Sequence, residues 1–582
     1  MKNINAKFSF LSELIFMSAF LIAIIFLLVN FYPYPYYLIG SLEGGAVYDG
    51  EPDYFANIIS TILNGHSMDF LHPGIPLNYL SAISLDFLPE NLSTEKIIHI
   101  SRAVILFING ILIYVGSRLV LKQELICTFA LYAVLFIFPA GFFLLDNLSP
   151  NSILFGLSVL TVAVGSLVQR NISINMALFS FLLGLALAVK YIAIVLAIPL
   201  AASLVFDGVS RSAQEHHLFK IFSFMILITG ISFSIFSWPM LPFLPYIFTH
   251  HGFIFTDFEI FMQSNGFIAL AFLSIIASIT LIVSLYSALI HLALSNLYRN
   301  VCIFLLICFS IIFLVQLMSV ESLMSLGYSL RNFLPILGMI VLFIPAILKN
   351  TFNSSGQYYI GVSLLLFLFV GLKLSFNIDT SQKASNLEKE FSSFLQKYDH
   401  YDFLVFYPPS SFVSKDIFIA WADYRYGESR QLFSEQNIPM KLSERQKKLR
   451  ILNSRKFHLE SPEQKFSYKY FDYITKNQFF SNAHREVALN QMNLLQPKVL
   501  CKELFDGFDM LKSSMIFFPA SMNSYITNNY SVHDDNETIE YISNLKLALE
   551  NQCNAKSQLA ETFFNQQKFY LLTINPLGKI VG

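Results

Sequence analysis

The sequence predicts a polytopic α-helical membrane protein with about eleven transmembrane helices and a C-terminal extracytoplasmic α/β domain. Three observations favour this fold class. The chain of 582 residues is 55% hydrophobic and only 13% charged, with a mean hydropathy of +0.56. Apolar stretches of about 20 residues, the length that crosses a bilayer as a helix, recur up to residue 375. Charged residues and short strand-like runs return after residue 376.

The apolar stretches are bounded by polar or charged residues. We expect transmembrane helices at roughly 12–31, 100–120, 125–145, 152–168, 174–189, 191–207, 219–238, 266–290, 301–319, 333–348 and 357–375. The first stretch resembles a signal peptide, but it is too long and no small-residue cleavage site follows it, so we expect a retained helix. The helices on either side of Lys190 are short and are expected to share a tight turn.

The Lys and Arg residues of the short loops predict the orientation of these helices, because cytoplasmic loops carry an excess of both. With the N-terminus inside, the cytoplasmic segments hold Lys2, Lys7, Arg118, Lys122, Arg170, Arg211, Lys220, Arg299 and Lys349. The opposite loops at 146–151 and 238–265 hold none. With about eleven helices, residues 376–582 then lie on the extracytoplasmic side of the membrane. We expect this membrane to be a bacterial inner or plasma membrane.

The C-terminal region, 376–582, differs in composition from the helical domain at 1–375. Strand-like runs occur at 401–407 (YDFLVFY), 513–518 (SSMIFF) and 568–574 (KFYLLTI), and a helical pattern occurs at 537–552. We therefore expect a small α/β domain. Two of the cysteines, Cys501 and Cys553, lie in this region. Thiols outside a cell tend to pair, which predicts a disulfide between them, and two free, buried thiols are the alternative.

The first outer loop, 32–99, carries an unusual charge pattern. It has no Lys or Arg before Lys96, whereas acids are concentrated at Asp49, Glu51 and Asp53. The segment YFANIISTIL that follows these acids is expected to form a short amphipathic helix on the membrane surface. Long ordered loops are usually functional, although simple solvated loop charges are the alternative interpretation.

A few cations stand on the predicted outer side, which normally excludes them: Lys96, Arg102, Lys190 and Arg331. They are either anchors that reach the lipid headgroups or ligands of an anion such as a lipid-linked phosphate. Acids and cations at one membrane surface suit glycosyl transfer from a lipid phosphate. In that reaction a carboxylate accepts the proton of the acceptor hydroxyl, and cations stabilise the departing phosphate.

The same sequence argues against two classes of ligand. It contains no P-loop and no GxGxxG motif after a strand, so a nucleotide site is not expected. It contains no basic patch, so nucleic acid is not an expected partner.

Five motifs of the chain resemble those of a known family. In chain order they are EPDY (51–54), MDFLHPGIPL (68–77), ISRAVILFINGILIYVGSRLV (100–120), LGLALAVKYIAIVLAIPL (183–200) and GYSLRNFLPILG (327–338). Their order, spacing and common outer location resemble the GT-C superfamily of polyprenyl-phosphate-sugar glycosyltransferases. That superfamily includes the protein O-mannosyltransferases and the bacterial aminoarabinose–lipid A transferases. The resemblance covers about residues 10–350.

The resemblance implies the substrates and the site. It implies a polyprenyl-phosphate-sugar donor, the lipid bilayer, and an acceptor that is a protein, a glycolipid or a cell-wall glycan. The catalytic residues that it implies are Asp53, Asp49 and Glu51, whose carboxylates are also the candidate ligands of Mg²⁺ or Mn²⁺. The donor-binding residues that it implies are Arg331, Lys190, Arg102, His72, Asp69, Tyr54 and Tyr328. His66 is a further candidate for contact with the acceptor or the headgroup, and a simple hydrogen bond within the loop is the alternative for both histidines.

The chain departs from the family's patterns in several places. Gly50 stands where the family has the first acid of its pair, so Asp49 or Asp53 is expected to supply that role. Gly74 replaces the second Pro after His72. The Lys-Pro-Pro motif of the aminoarabinose transferases is absent, and so is a repeat like the β-trefoil insertion of the mannosyltransferases.

Two other functions are alternatives. A ligase or polymerase that uses a lipid-diphosphate oligosaccharide usually has its chemistry in a large late loop, whereas here the charged loop is the first. A transporter or flippase predicts paired charges near the middle of the membrane and internal repeats, and the sequence shows neither.

Overall fold

The structure is a computed structural model that describes part of the chain. The described residues are 74–86, 94–121, 150–168, 172–210, 215–238, 395–401, 403–406, 449–451, 514–519, 556–564 and 567–574, with isolated positions elsewhere, including 54, 57, 58 and 61. The chain separates into two compact units. The first comprises Met1–Pro33, Phe70–Leu85 and His99–Ile378, and the second comprises Tyr34–Asp69, Asp86–Ile98 and Asp379–Gly582.

The first unit is helical. Its described helices are α1 (Ile75–Asp86), α2 (Thr94–Leu121), α3 (Pro150–Leu167), α4 (Ile172–Val189), a 3₁₀-helix (Tyr191–Leu196), α5 (Ala197–Ser210) and α6 (Glu215–Phe236). Among the described residues, three stretches are helical, long and apolar enough to cross a membrane: Ile100–Val120, Pro150–Leu167 and Phe219–Phe236. Two shorter apolar stretches are Ile174–Val189 and Tyr191–Leu204.

These five stretches coincide with predicted helices, and three of them are long enough to cross a membrane. The prediction of a helical chain with membrane-length apolar segments is therefore confirmed in this coarse form. Apart from single helical positions, the other six predicted spans lie outside the described residues: 12–31, 125–145, 266–290, 301–319, 333–348 and 357–375. The number of spans therefore stays a prediction.

The helix predicted at 191–207 begins differently from the prediction. Lys190 is extended (φ −161°, ψ 131°), and the chain then forms the 3₁₀-helix before α5 starts at Ala197. Pro199 explains the delayed start, because proline lacks an N–H and is tolerated only in the first turn of an α-helix. Short 3₁₀ turns are common connectors of this kind.

Helix α3 is the most deeply buried of the three membrane-length helices. Fifteen of its 18 residues are buried, as expected for a helix that is apolar on every side. Two of its buried hydroxyl groups are satisfied within the helix, since Ser158 Oγ donates to Leu154 O and Thr161 Oγ1 donates to Leu157 O, both at 2.7 Å. These two side chains therefore fit an apolar interior.

Helix α2 has two distinct faces. Every fourth residue on one face is buried: Ser101, Ile105, Asn109, Ile113 and Ser117. The opposite face exposes Phe107, Ile111, Val115 and Leu119, which are 37–46% accessible. An exposed stripe of large apolar residues at helical spacing is what a helix presents to lipid.

Contacts between the helices give their relative directions. Lys190 meets Asn151 at one end of α3 and α4, and Asn175 Nδ2 donates to Leu167 O at the other end, so these two helices are antiparallel. Helices α2 and α3 are parallel, since Gly156 lies against Asn109 and Gly116 lies against Leu160. We refer to the end that holds Lys190 and Asn151 as the Lys190 end.

The second unit contains a mixed five-stranded sheet. The strands are β1 (Phe403–Phe406), β2 (Leu449–Ile451), β3 (Ser514–Pro519), β4 (Lys556–Phe564) and β5 (Gln567–Ile574), in the order β2-β1-β3-β5-β4. Strand β1 pairs in parallel with β2 and β3, whereas β5 pairs antiparallel with β3 and β4.

Three of the five strands were predicted at 401–407, 513–518 and 568–574, and the structure confirms them. Strands β2 and β4 were not predicted. Strand β2 has three residues only, and β4 (KSQLAETFF) lacks alternating apolar residues and contains a register shift between Leu559 and Phe563. Pairing with β5, rather than local preference, therefore gives β4 its conformation. The cysteines of the predicted disulfide, Cys501 and Cys553, lie outside the described residues.

Candidate functional site

The structure describes three of the residues implied as catalytic or donor-binding: Tyr54, Arg102 and Lys190. The others lie outside the described residues: Asp49, Glu51, Asp53, His66, Asp69, His72, Tyr328 and Arg331. The expected clustering of the three loop acids therefore stays a prediction, as do the roles of the two histidines.

The segment that follows the loop acids is helical at each of its described positions. These are Tyr54, Asn57, Ile58 and Thr61, spaced i, i+3, i+4 and i+7, and all four are buried. Thr61 Oγ1 donates to Asn57 O at 2.7 Å, a hydrogen bond within the helix. The predicted helix is thus present at these positions, and this stripe packs inside the protein, directly after the acids in sequence.

Lys190 lies where α4 ends and the chain becomes extended. Its backbone N–H donates to Ala186 O at 2.8 Å, and its carbonyl accepts a hydrogen bond from Ala193 N at 3.0 Å. Its side chain is half-buried and donates from Nζ to Asn151 Oδ1 at 2.8 Å. The backbone of Lys190 is thus held by hydrogen bonds within its own segment, and its ammonium group contacts the start of α3.

Gly74, the last residue of the HPG motif, lies at the same end. Its backbone N–H donates to Ala188 O at 3.4 Å, and its carbonyl accepts a hydrogen bond from Asn78 N at 3.1 Å. Its φ of 116° lies in a region that L-residues with a side chain rarely adopt. Proline is restricted to φ near −65°, so a second proline, as in the family motif, does not fit this backbone.

Helix α1 follows Gly74 and has one buried side. Asn78, Ser81 and Leu77 lie on this side, and Ile83 is exposed. Burial raises the pKa of the Tyr79 phenol above its ordinary value, so this group stays protonated near neutral pH. Gly74 is therefore followed by a helix whose buried side is partly polar.

Arg102 is only 6% accessible in α2. A buried guanidinium group is stable only where hydrogen-bond or charged partners compensate it, and Arg102 does interact with other groups. Because α2 is parallel to α3, Arg102 lies toward the Lys190 end of the bundle. The neighbouring Ser101 Oγ is buried and has no hydrogen-bond partner among the described residues.

Two residues at this end were missed by the sequence analysis. Asn151 is fully buried in the first turn of α3 and contacts Lys190. The hydroxyl of Tyr191 is buried without a hydrogen-bond partner in the described part of the chain, and its ring lies 6.4 Å from that of Phe233. An Asn directly after the proline that starts an apolar helix was the available signal for Asn151.

The described residues provide no group of three or more His, Cys, Asp or Glu side chains that is suited to a metal ion. The carboxylates proposed for Mg²⁺ or Mn²⁺, Asp49, Glu51 and Asp53, are outside this set. At the Lys190 end, the described side chains place an ammonium group beside a buried amide oxygen.

Comparison with models of protein families, with curated proteins and with solved structures finds no match to this chain. The resemblance to the GT-C superfamily therefore rests on the sequence motifs.

Proposed function

We propose that the chain transfers a sugar from a polyprenyl-phosphate-linked donor to an acceptor at the extracytoplasmic membrane face. The observation that supports the proposal is the position of Gly74, the last residue of the HPG motif, close to Lys190. Gly74 hydrogen-bonds to Ala188, two residues before Lys190, although the two motifs are far apart in sequence. This contact brings Gly74 to the chain segment that holds Lys190, and it supports the proposal that the two motifs contribute to one donor site.

The proposed chemistry divides acids and cations between two tasks. Asp53 or Asp49 accepts the proton of the acceptor hydroxyl as its oxygen attacks the anomeric carbon of the sugar. The bond between that carbon and the phosphate oxygen breaks, and Arg331, with Lys190 or Arg102, stabilises the phosphate as its charge develops. His66, Asp69, His72, Tyr54 and Tyr328 are proposed to contact the donor. Where a divalent cation takes part, the loop acids are its proposed ligands.

The proposed reaction needs a specific topology. We propose about eleven transmembrane helices, a cytoplasmic N-terminus and an extracytoplasmic α/β domain at 376–582, in a bacterial inner or plasma membrane. The membrane-length helices of the first unit and the mixed sheet of the second support this arrangement. In it, the Lys190 end faces the outer side.

The loop acids test the catalytic part of the proposal. The protein in lipid nanodiscs is supplied with a polyprenyl-phosphate sugar, and transfer to glycolipid, peptide and glycan acceptors is measured. Asp49→Asn or Asp53→Asn should lower the rate by about 10²–10⁴, the usual contribution of a general base. Asp207→Asn, which removes a carboxylate from the predicted cytoplasmic side, is the matched control. Near-full activity in both loop variants contradicts the assignment.

The cations test the donor site. Lys190→Ala and Arg331→Ala should weaken donor binding by about tenfold or more, because a hydrogen bond to a charged group contributes about 1.5–3 kcal/mol. Arg118→Ala removes a cation from the last turn of α2, at the opposite end of the bundle, and should leave donor binding unchanged. Unchanged donor affinity in folded Lys190→Ala and Arg331→Ala proteins would contradict the proposed site. Movement of the donor lipid between leaflets without sugar transfer would instead favour the flippase alternative.

A further inference from the structure

Two buried hydroxyl groups, Tyr191 Oη and Ser237 Oγ, have no hydrogen-bond partner among the described residues. Tyr191 begins the 3₁₀-helix directly after Lys190, and Ser237 directly follows α6. A buried hydroxyl that lacks a partner destabilises a folded protein, so nearly all such groups bond to protein, to water or to a ligand. These two groups therefore need a partner that the described part of the chain does not supply.

Phe233 of α6 connects the two residues. Its ring centre lies 6.4 Å from that of Tyr191, and its carbonyl accepts a hydrogen bond from Ser237 N at 2.8 Å. The side chain of Ser237 is fully buried, whereas the next residue, Trp238, is 72% accessible. Both hydroxyl groups thus belong to the Lys190 end of the bundle, where α6 ends.

The chemistry of these groups suits a sugar better than a phosphate. A hydroxyl both donates and accepts hydrogen bonds, as the hydroxyls of a sugar do, whereas a phosphate oxygen accepts only and is bound most strongly by charged groups. In a polyprenyl-phosphate sugar, the sugar is bonded directly to the phosphate. The Cα atoms of Lys190 and Tyr191 are about 3.8 Å apart, as in any two consecutive residues. A phosphate at the Lys190 end therefore brings its sugar close to Tyr191.

We infer that Tyr191 and Ser237 form a binding site for the sugar of the donor, in which their hydroxyl groups exchange hydrogen bonds with sugar hydroxyls. This inference rests on the proposed function, which places the lipid phosphate at the Lys190 end. It holds whichever of the proposed cations binds that phosphate. The two residues distinguish a sugar-bearing donor from the bare lipid phosphate.

Tyr191→Phe and Ser237→Ala test this site, because each removes a hydroxyl group and little else. The ligands are short-chain polyprenyl phosphates that carry mannose, glucose, galactose or arabinose, and the same polyprenyl phosphate without a sugar, with the protein in nanodiscs. Each variant should bind the preferred sugar-bearing lipid about three- to tenfold more weakly than the wild type, the usual effect of losing one hydrogen bond between neutral groups. The affinity for the bare polyprenyl phosphate should be unchanged.

Thermal unfolding separates binding from a structural role. Removing a buried hydroxyl that has no partner in the protein should leave the melting temperature unchanged or raise it, whereas removing a bonded hydroxyl lowers it. Lower melting temperatures for Tyr191→Phe and Ser237→Ala, with wild-type affinity for the sugar-bearing lipid, would show that the two hydroxyls serve the fold and would overturn the inference.

Ser180→Ala is the matched control. Ser180 Oγ is also buried without a partner in the described residues, and it lies in α4 about 15 Å along the helix from Lys190. The substitution removes the same kind of group away from the proposed site. We expect this variant to bind the sugar-bearing lipid and the bare polyprenyl phosphate with wild-type affinity.

Donors that lack one sugar hydroxyl test the contact directly. For one such deoxy donor, Tyr191→Phe and the wild type should bind with equal affinity, because the hydrogen bond is already absent. If Tyr191→Phe weakens the binding of every deoxy donor by the same factor as that of the complete donor, Tyr191 does not contact a sugar hydroxyl and the inference is overturned.

The inference and the proposed function fail in different ways. If the variants bind the sugar-bearing lipid like the wild type, or lose affinity for the bare polyprenyl phosphate to the same extent, the sugar site is wrong and the proposed function is unaffected. If the wild-type protein neither binds polyprenyl phosphate nor transfers sugar from it, the proposed function is wrong and the inference about Tyr191 and Ser237 is overturned with it.

Discussion

Gly74 has a backbone conformation that few other residues can adopt. Its φ of 116° lets its N–H reach Ala188 O while its carbonyl accepts from Asn78 at the start of α1. A residue with a side chain is strained at such an angle whatever space surrounds it. Glycine at this position is therefore a structural requirement of the described backbone, at which a proline would not fit.

Replacing Gly74 by alanine should destabilise the protein by about 1–3 kcal/mol, the usual cost of one strained backbone conformation. The measurement is thermal unfolding of the purified variant in detergent. Gly230→Ala is the control, because Gly230 is helical and has no atom within 4 Å of the position that a Cβ would take. That variant should be neutral or more stable, since alanine favours helix. Equal melting temperatures for Gly74→Ala and wild type would contradict the prediction.

Asn109 shows how a polar residue is accommodated within an apolar helix. It is fully buried in α2, and a Cβ added to Gly156 of α3 would lie 2.2 Å from its Oδ1. The amide oxygen thus occupies space that only glycine leaves open. Neither amide atom has a hydrogen-bond partner among the described residues. Close packing between α2 and α3 therefore depends on this pair.

At the scale of the elements, α4 and α6 approach each other through small residues. Thr229 Oγ1 donates to Ser180 O at 3.2 Å, and Ser232 Oγ donates to Phe181 O at 2.7 Å. Gly184 faces the same part of α6, where a Cβ would come within 2.5 Å of the backbone oxygen of Thr229. Small residues that allow close approach, with hydroxyls that bond across the interface, are typical of helix pairs in membranes.

Gly184→Ala should therefore destabilise the protein by about 1–3 kcal/mol, the usual effect of overpacking a close contact. The obstacle is backbone, which cannot move aside without separating α4 from α6. Gly230→Ala again serves as the control, because Gly230 belongs to α6 and faces open space. A Gly184→Ala protein as stable as Gly230→Ala would show that the two helices do not pack as closely as the structure has them.

At the scale of the whole molecule, the proposed reaction depends on the orientation of the chain in the membrane. The Lys and Arg alternation predicts that residues 376–582 lie outside the membrane. A reporter fused after Gly582 that is active only in an extracytoplasmic compartment should therefore be active, and one that requires the cytoplasm should be inactive. A fusion at the loop near Arg211, predicted to be cytoplasmic, provides the opposite control. Activity of the cytoplasmic reporter after Gly582 would contradict the topology.

Hydrophobic pattern alone located much of the fold. The helices at 100–120, 152–168, 174–189 and 219–238 follow from runs of apolar residues, because such runs form helices wherever water is excluded. The helical pattern after Asp53 is likewise local, and its buried positions repeat at i, i+3, i+4 and i+7. The strands at β1, β3 and β5 are rich in apolar residues of high strand preference.

Local pattern was insufficient where a partner decides the conformation. Strand β4 was missed because its own residues have little strand preference and its pairing with β5 supplies the missing hydrogen bonds. The 3₁₀-helix after Lys190 was missed because apolar periodicity does not distinguish a short 3₁₀ turn from the start of an α-helix.

The sequence by itself determined which segments are apolar enough for a membrane. It also identified Lys190, Arg102 and Tyr54 as candidate donor-binding residues. Only the tertiary structure decided that Asn151 holds Lys190 and that Gly74 meets the end of α4. Periodicity reports which side of an element avoids water, and charge statistics report which side of a membrane a residue prefers. Neither reports which residues meet across the bundle, because that depends on how helices distant in sequence pack against one another.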